Sequence, residues 1–241
     1  MYPKLDNVAQ LRLGKNKFPG QVLVIGKNDS NQAIIMYAVL SRAPAFGERH
    51  FHVKDKEIYL SFIRHNEDFL KRECEHQTTS SLKIDGKSCY AVGNGHQVSA
   101  ITNGLKDGNY FPGLLNSEWT HKNDVHGTPR ISGLITLKKD IAEFSMSQIL
   151  QQETSPKDSE YHCHSHLKVS DGMGKCLLAY DGDDDPLSSF RYHPFDVPLV
   201  GDIKTIGDSY WSILYHKYRT ALFVRSIDLS SRKVNQYLIR Y

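Results

Sequence analysis

Gln21–Leu40 reads QVLVIGKNDSNQAIIMYAVL. Two apolar runs, Gln21–Gly26 (QVLVIG) and Ala33–Leu40 (AIIMYAVL), flank Lys27–Gln32 (KNDSNQ), a segment of the small polar residues that favour turns. The pattern predicts a β-hairpin. Neither run alternates strictly between apolar and polar, so the sheet they enter is expected to be covered on both faces. Similar short runs follow at Glu57–Ile63, Ser88–Val92, Ile131–Leu137, Lys175–Tyr180, Tyr210–Tyr215, Thr220–Ser226 and Asn235–Arg240. Helical patterning is rarer. Asp140–Gln152 (DIAEFSMSQILQQ) carries apolar Ile141, Phe144, Ile149 and Leu150, with Asp140 as N-cap and Glu143 as its capping-box partner, and predicts a helix. Val98–Leu105 predicts a second, stopped near Asp107-Gly108, and Asn66–Glu75 a third. Strands mixed with two or three helices make the class α+β.

The chain has 241 residues, 39% of them hydrophobic and 24% charged. That is the composition of a soluble globular protein large enough to fold around its own core, and one domain over 1–241 is expected. A net charge of +3 with scattered Lys and Arg argues against a nucleic-acid partner. The N-terminal MYPKLDNVAQLRLGKNK has no secretory pattern, and Ala33–Leu40 is far short of the roughly 20 apolar residues of a membrane helix. Cys74, Cys89, Cys163 and Cys176 lack CxxC spacing. A cytoplasmic protein with no membrane partner is the expectation, and self-association is left open.

Four segments carry residues suited to chemistry. Ser41-Arg42 and Glu48-Arg49 follow the hairpin, and two guanidinium forks seven residues apart match the oxygens of a phosphate, although solvated surface arginines look the same in sequence. Ala91–His96 (AVGNGH) places Gly-Asn-Gly after a strand, either a tight turn or a place where a ligand meets backbone N–H groups at a helix start. Asp124–Gly133 (DVHGTPRISG) sets Thr128 and Arg130 at a strand's beginning. Gly172–Phe190 contains the acidic Asp181–Asp185, which lacks the frame of a calcium loop and reads as a solvated turn. In a strand, His162, His164 and His166 would share one face. Their spacing of about 7 Å suits a single ion poorly, so no metal is assigned. GxSxG, Walker A, GxGxxG and HExxH patterns are absent. Met1-Tyr2 offers no N-terminal nucleophile.

In order, FPGQVLVIGK, SRAPAFGERHF, YAVGNGHQVSAI, GTPRISGLI and GMGKCLLAYDGDDDPLSSF resemble segments of the archaeal-type IMP cyclohydrolases and their bacterial relatives, over about Leu13–Leu229. The resemblance implies a four-layer αββα sandwich like that of the N-terminal-nucleophile hydrolases, without the nucleophile. It also implies ring closure of 5-formamidoimidazole-4-carboxamide ribonucleotide to IMP with loss of water, using no cofactor and no metal. On that likeness Arg42 and Arg49 serve the phosphate or a carbonyl, and Asn94 with the Gly95 backbone serves the base or formyl group. Thr128 and Arg130 complete the pocket. His96, Asp124 and His126 are candidates for proton transfer on chemistry alone. Three places depart from the family pattern. Gln21 stands for arginine, Thr79–Lys83 replaces Tyr-Asn-Cys-x-Arg so that Lys83 alone keeps charge there, and Gln97 and Ser99 stand where an acid is expected. A nucleotide-binding module without turnover, or a related cyclisation or amide hydrolysis, are the alternatives.

Overall fold

The computed structural model describes residues 12–42, 49–62, 75–95, 97–108, 128–152, 155, 158–182 and 184–240. Three antiparallel sheets organise them. The largest runs in the order β12 (Phe195–Pro198), β11 (Met173–Leu178), β1 (Gln21–Lys27), β2 (Gln32–Leu40), β13 (Arg219–Asp228), β14 (Val234–Arg240). The second runs β10 (Ser159–His164), β9 (Ile141–Gln151), β8 (Arg130–Lys138), β7 (Lys87–Gly93), β6 (Thr79–Ile84). A third, three-stranded sheet comprises β3 (Arg49–Lys54), β4 (Glu57–Phe62) and β5 (Glu75–Gln77). The β1–β2 hairpin forms as its sequence predicts, with Val24 opposite Met36 and Gly26 opposite Ile34.

Side-chain alternation along the strands decides how the layers stack. Leu23 and Ile25 lie on one face of β1 and Val24 on the other. A methyl group on Gly133 in β8 would lie 3.2 Å from Ile25 Cγ2 and 3.4 Å from Leu23 Cδ2, so the five-stranded sheet covers the Leu23 face. The missing Cβ eases this close approach of the two sheets. The Val24 face continues across the register through Met36 and Val224. There it meets helix α2 (Ile203–Ile213), whose Gly207 sits against Val224 and Tyr237. On the outer face of the second sheet, Cys89, Ala91, Leu134 and Ile149 pack with Val98 and Ile101 of helix α1 (Gln97–Lys106). Hence, among the described residues, two sheets stack face to face with α1 outside one and α2 outside the other. The main core lies between and around the sheets, with Val22, Ile25, Met36, Ile135, Met146 and Phe223 all essentially without exposure.

The third sheet packs against β13 and β14, where Phe51 meets Phe223 edge-on at 5.0 Å. A buried ion pair fastens it. Arg225 Nη1 lies 3.3 Å from Glu57 Oε2, and Thr79 and Ser81 donate their hydroxyls to the same carboxylate. Among the described residues no helix is long and apolar enough to cross a membrane.

Two expectations are corrected. Residues 140–152 are not a helix: Ile141–Gln151 is strand β9, paired residue by residue with β8 from Arg130–Ile149 to Lys138–Ile141. Asp140 belongs to the hairpin turn, where Lys139 takes φ +51°. Phe144 and Met146 occupy the inter-sheet face while Ile149 packs under α1, so apolar residues on both faces imitate a helical stripe. Conversely, Tyr210–Tyr215 is not a strand. Ile203–Ile213 is helical, with Asp202 as N-cap accepting from the Thr205 N–H, and Ile206, Ser209 and Tyr210 form the buried face at helical spacing. The expected helix Asn66–Glu75 lies outside the described residues except for Glu75, which opens β5. The short strands β3, β5, β6 and β12 carry too little apolar patterning to be found from sequence.

Candidate nucleotide site

At one end of the sandwich β1 begins, β7 ends and β8 begins, and Asn94 ties all three together. Its Nδ2 donates to Pro129 O (2.9 Å) and Gln21 Oε1 (3.2 Å), while its Oδ1 accepts from the Ile131 N–H (2.8 Å) and from Gln97 Nε2 (2.8 Å). Four bonds exhaust the capacity of the amide. The side chain expected to touch the base is therefore spent on joining the two sheets and the start of α1. Gly95 follows at φ +114°, a conformation L side chains rarely adopt. The opened turn brings Arg130 Nη1 over it, within 3.5 Å of the Asn94 carbonyl oxygen.

Arg49 enters from β3 and Arg130 from β8. Both arginines act electrostatically on Tyr37, on the inter-sheet face of β2 and 1% exposed. Burial pushes the Tyr37 phenol far above its ordinary range, and the positive charges of Arg49 and Arg130 pull it back in part. The hydroxyl consequently stays protonated at any physiological pH. Burial likewise lowers the pKa of the Arg49 guanidinium, with Tyr37 opposing. Two cations from separate sheets thus bear on one buried phenol. Tyr37 escapes a reading of the sequence because a tyrosine within AIIMYAVL looks like core; its one signal is that it is the sole residue with a hydroxyl in that run.

Arg42 belongs to a neighbouring group on the rim. Its guanidinium lies 4.8 Å from the centre of the Phe18 ring and donates to the Asp184 carbonyl oxygen (3.3 Å). Phe18 stacks on Tyr180, and Tyr180 fills the space beside Gly20. Thr128 is half-buried immediately before Pro129. Lys83 is not brought to the site. It pairs with Ser88 beside the Asp85-Gly86 turn, at the opposite end of β7 from Gly93 and exposed to solvent. The strand that carries its segment runs away from Asn94, and only Thr79, opposite Val92, stays near. His96, Asp124 and His126 lie outside the described residues.

The family model described as IMP cyclohydrolase-like protein matches residues 18–227. The chain belongs to the IMP cyclohydrolase-like family. No curated protein matches it. In this IMP cyclohydrolase-like chain the matched span includes the Asn94 network, Tyr37 and the arginines around it. Gln21, where the family resemblance has arginine, is absorbed into the fold as a hydrogen-bond acceptor for Asn94. Ser99 donates to Gln77 Oε1 (3.2 Å) and so anchors α1 to the third sheet. Gln97 donates to Asn94 Oδ1 and to Ile131 O (3.3 Å).

The histidines of β10 are divided among different partners. His162 Nε2 pairs with Glu160 Oε1 at 2.5 Å, His164 Nδ1 faces His193 Nδ1 at 3.4 Å, and His166 falls beyond the strand with φ +52°. Among the described residues no group of three His, Cys, Asp or Glu side chains could hold a metal ion.

Proposed function

We propose that this protein is a single-domain IMP cyclohydrolase-type enzyme, which closes the purine ring of 5-formamidoimidazole-4-carboxamide ribonucleotide to give IMP and water. The observation that carries the reading is the convergence of the Arg49 and Arg130 charges on buried Tyr37, with Arg130 over the Asn94-Gly95 turn. The helix–sheet–sheet–helix stack supports kinship with the four-layer N-terminal-nucleophile hydrolase architecture. In the reaction, the carboxamide nitrogen attacks the formyl carbon and a C–N bond forms. The formyl oxygen then leaves as water, taking one proton from the carboxamide and one from the formamido nitrogen. The nucleophile is part of the substrate, so the protein's tasks are alignment and stabilisation of charge developing on the formyl oxygen.

Arg42 and Arg49 are assigned to the phosphate or a carbonyl, Arg130 and Thr128 to the base-side pocket, and Tyr37 to a neutral O–H donor on which both cations act. Asn94 is a positioning residue that holds Gly95 and Arg130 in place. His96, Asp124 and His126 are assigned to proton transfer.

A second reading, a nucleotide-binding module without turnover, is favoured by one feature: Gln97, which cannot act as an acid or base, stands where the family resemblance has an acidic residue. Two measurements decide. Ultraviolet absorbance follows ring closure when protein meets the formylated nucleotide. A thermal shift reports binding, with about 2.7 kcal/mol of stabilisation expected when IMP is at a hundred times its Kd. An absorbance change establishes the enzyme, and a shift by IMP without one establishes the binding module. Neither response removes the nucleotide reading.

A further inference from the structure

The turn at Gly95 has an acceptor and a donor facing the same small space, and assigning a ligand group to that space rests on the nucleotide reading of the site. The hydrogen-bond directions around the turn are determined by groups whose roles cannot be exchanged. The Pro129 carbonyl only accepts and the Ile131 N–H only donates, so Asn94 must turn Nδ2 to the first and Oδ1 to the second. Gln97 then faces two acceptors, Asn94 Oδ1 and Ile131 O, and must give its Nε2 to both. Its Oε1 is left over. Gln97 is 0% exposed, and this oxygen has no hydrogen-bond partner. Buried acceptors in folded proteins are nearly always satisfied, so an orphan in a candidate site asks for a donor.

Gln97 Oε1 stands with Arg130 on the side of the turn where Gly95 carries no Cβ. A methyl group on Gly95 would lie 3.3 Å from Gln97 Oε1 and 3.5 Å from Arg130 Nη1. We propose that this space receives the lactam edge of the ligand, an N–H beside a C=O, with Gln97 Oε1 accepting from the N–H and Arg130 donating to the carbonyl oxygen. A 6-oxopurine presents that pair on adjacent ring positions. The open-chain carboxamide of the ring-opened precursor presents the same pair, so one contact set would hold the attacking nitrogen before closure and the ring N–H after it. A 6-aminopurine presents the reverse: an amine toward the guanidinium and a bare ring nitrogen toward Gln97 Oε1. Both contacts are then repulsive, and specificity follows from the mismatch. Gln97, a departure from the acidic residue of the family pattern, thereby acquires a reading role that needs no charge.

Calorimetric titration with IMP, AMP and the 5′-monophosphate of unsubstituted purine riboside tests this on the unaltered protein. IMP is expected to bind about 10–100-fold more tightly than AMP, with the unsubstituted ligand between them. Gln97→Met, which keeps length but removes the amide, should weaken IMP about tenfold while AMP, relieved of the repulsion, binds at least as tightly as before, so that the IMP–AMP difference narrows. IMP and AMP binding within twofold of each other in the unaltered protein overturns the lactam assignment and leaves the nucleotide reading standing. Failure of all three ligands to bind at millimolar concentration overturns both. The ligand series tests the assignment even if the Gln97 variant does not fold.

Discussion

The two ends of the sandwich are built on opposite principles. At the far end four strand pairs close on themselves: residues 28–31, 85–86, 139–140 and 229–233 are tight turns, in which the non-glycine residues Asn31, Asp85, Lys139 and Arg232 take positive φ. Their hydrogen bonds are mostly local, as where Asn28 Oδ1 accepts from the Ser30 and Gln32 N–H groups and Asp228 Oδ1 from those of Ser230 and Ser231. At the near end, polar side chains bond across the sheets. Asn94 reaches Gln21, Pro129, Ile131 and Gln97, and the charges of Arg49 and Arg130 both bear on Tyr37. A self-contained turn spends most of its polar groups on itself, although Arg232 reaches the Lys139 carbonyl oxygen of the other sheet and keeps an unpartnered Nη1. A network spanning two sheets holds its members in place and leaves a buried acceptor, Gln97 Oε1, beside the Arg130 guanidinium, and that juxtaposition is what the near end has to offer a ligand.

Variants at the two ends should therefore behave differently. The largest effect is expected from Asn94→Ala, which removes four hydrogen bonds at once and should lower unfolding free energy in urea by about 2–4 kcal/mol. If it costs no more than a far-end substitution, the contrast between the ends fails. Next comes Arg49→Lys. It keeps the charge but loses the planar fork, and should weaken IMP binding about 10–100-fold by calorimetry with little change in the urea midpoint. Lys139→Gly relieves a positive-φ lysine in a far-end turn. It should raise stability by about 0.5–1 kcal/mol and leave nucleotide affinity unchanged, and any loss of affinity would couple the two ends.

The smallest effect concerns pH. Backbone and hydroxyl donors from Ser231 hold the Asp228 carboxyl below its ordinary range. A carboxylate with a depressed folded-state pKa stabilises the fold above the unfolded value of about 3.9, and that contribution is lost as pH falls through the lower folded value. Asp228→Asn should flatten the acid limb of the stability curve slightly, followed by circular dichroism between neutral and acid pH. A near-end variant such as Arg49→Lys should leave that limb unchanged.

Much of the fold was legible in the chain. The β1–β2 hairpin, β4, β7, β8, β13, β14 and α1 follow from apolar runs and turn residues whose preferences act within a few positions. The misread segments show the limit of that reasoning. Ile141–Gln151 has apolar residues at spacings that suit a helix, and only pairing with β8 on one side and burial on both faces make it a strand. Residues 203–213 hid a helix because Tyr210–Tyr215 is aromatic-rich, although Asp202 three residues before Thr205 marked its start. Arg49, Arg130 and Asn94 could be picked out as residue types suited to a nucleotide. Their partners could not: Tyr37 looked like core, and Gln97 looked like a loss.

Residue order by itself determined the local periodicities, the α+β class and the family likeness, since each depends on neighbours within a dozen positions. Only the tertiary structure decided that the charges of Arg49 and Arg130 reach Tyr37 while Lys83 is carried to the other end. It also decided that the Asn94 amide is consumed internally and the Gln97 oxygen is not. Those outcomes depend on which strands pair, in what register, and which face of each is buried. The balance is struck over contacts between residues scores of positions apart, which no short window of sequence contains.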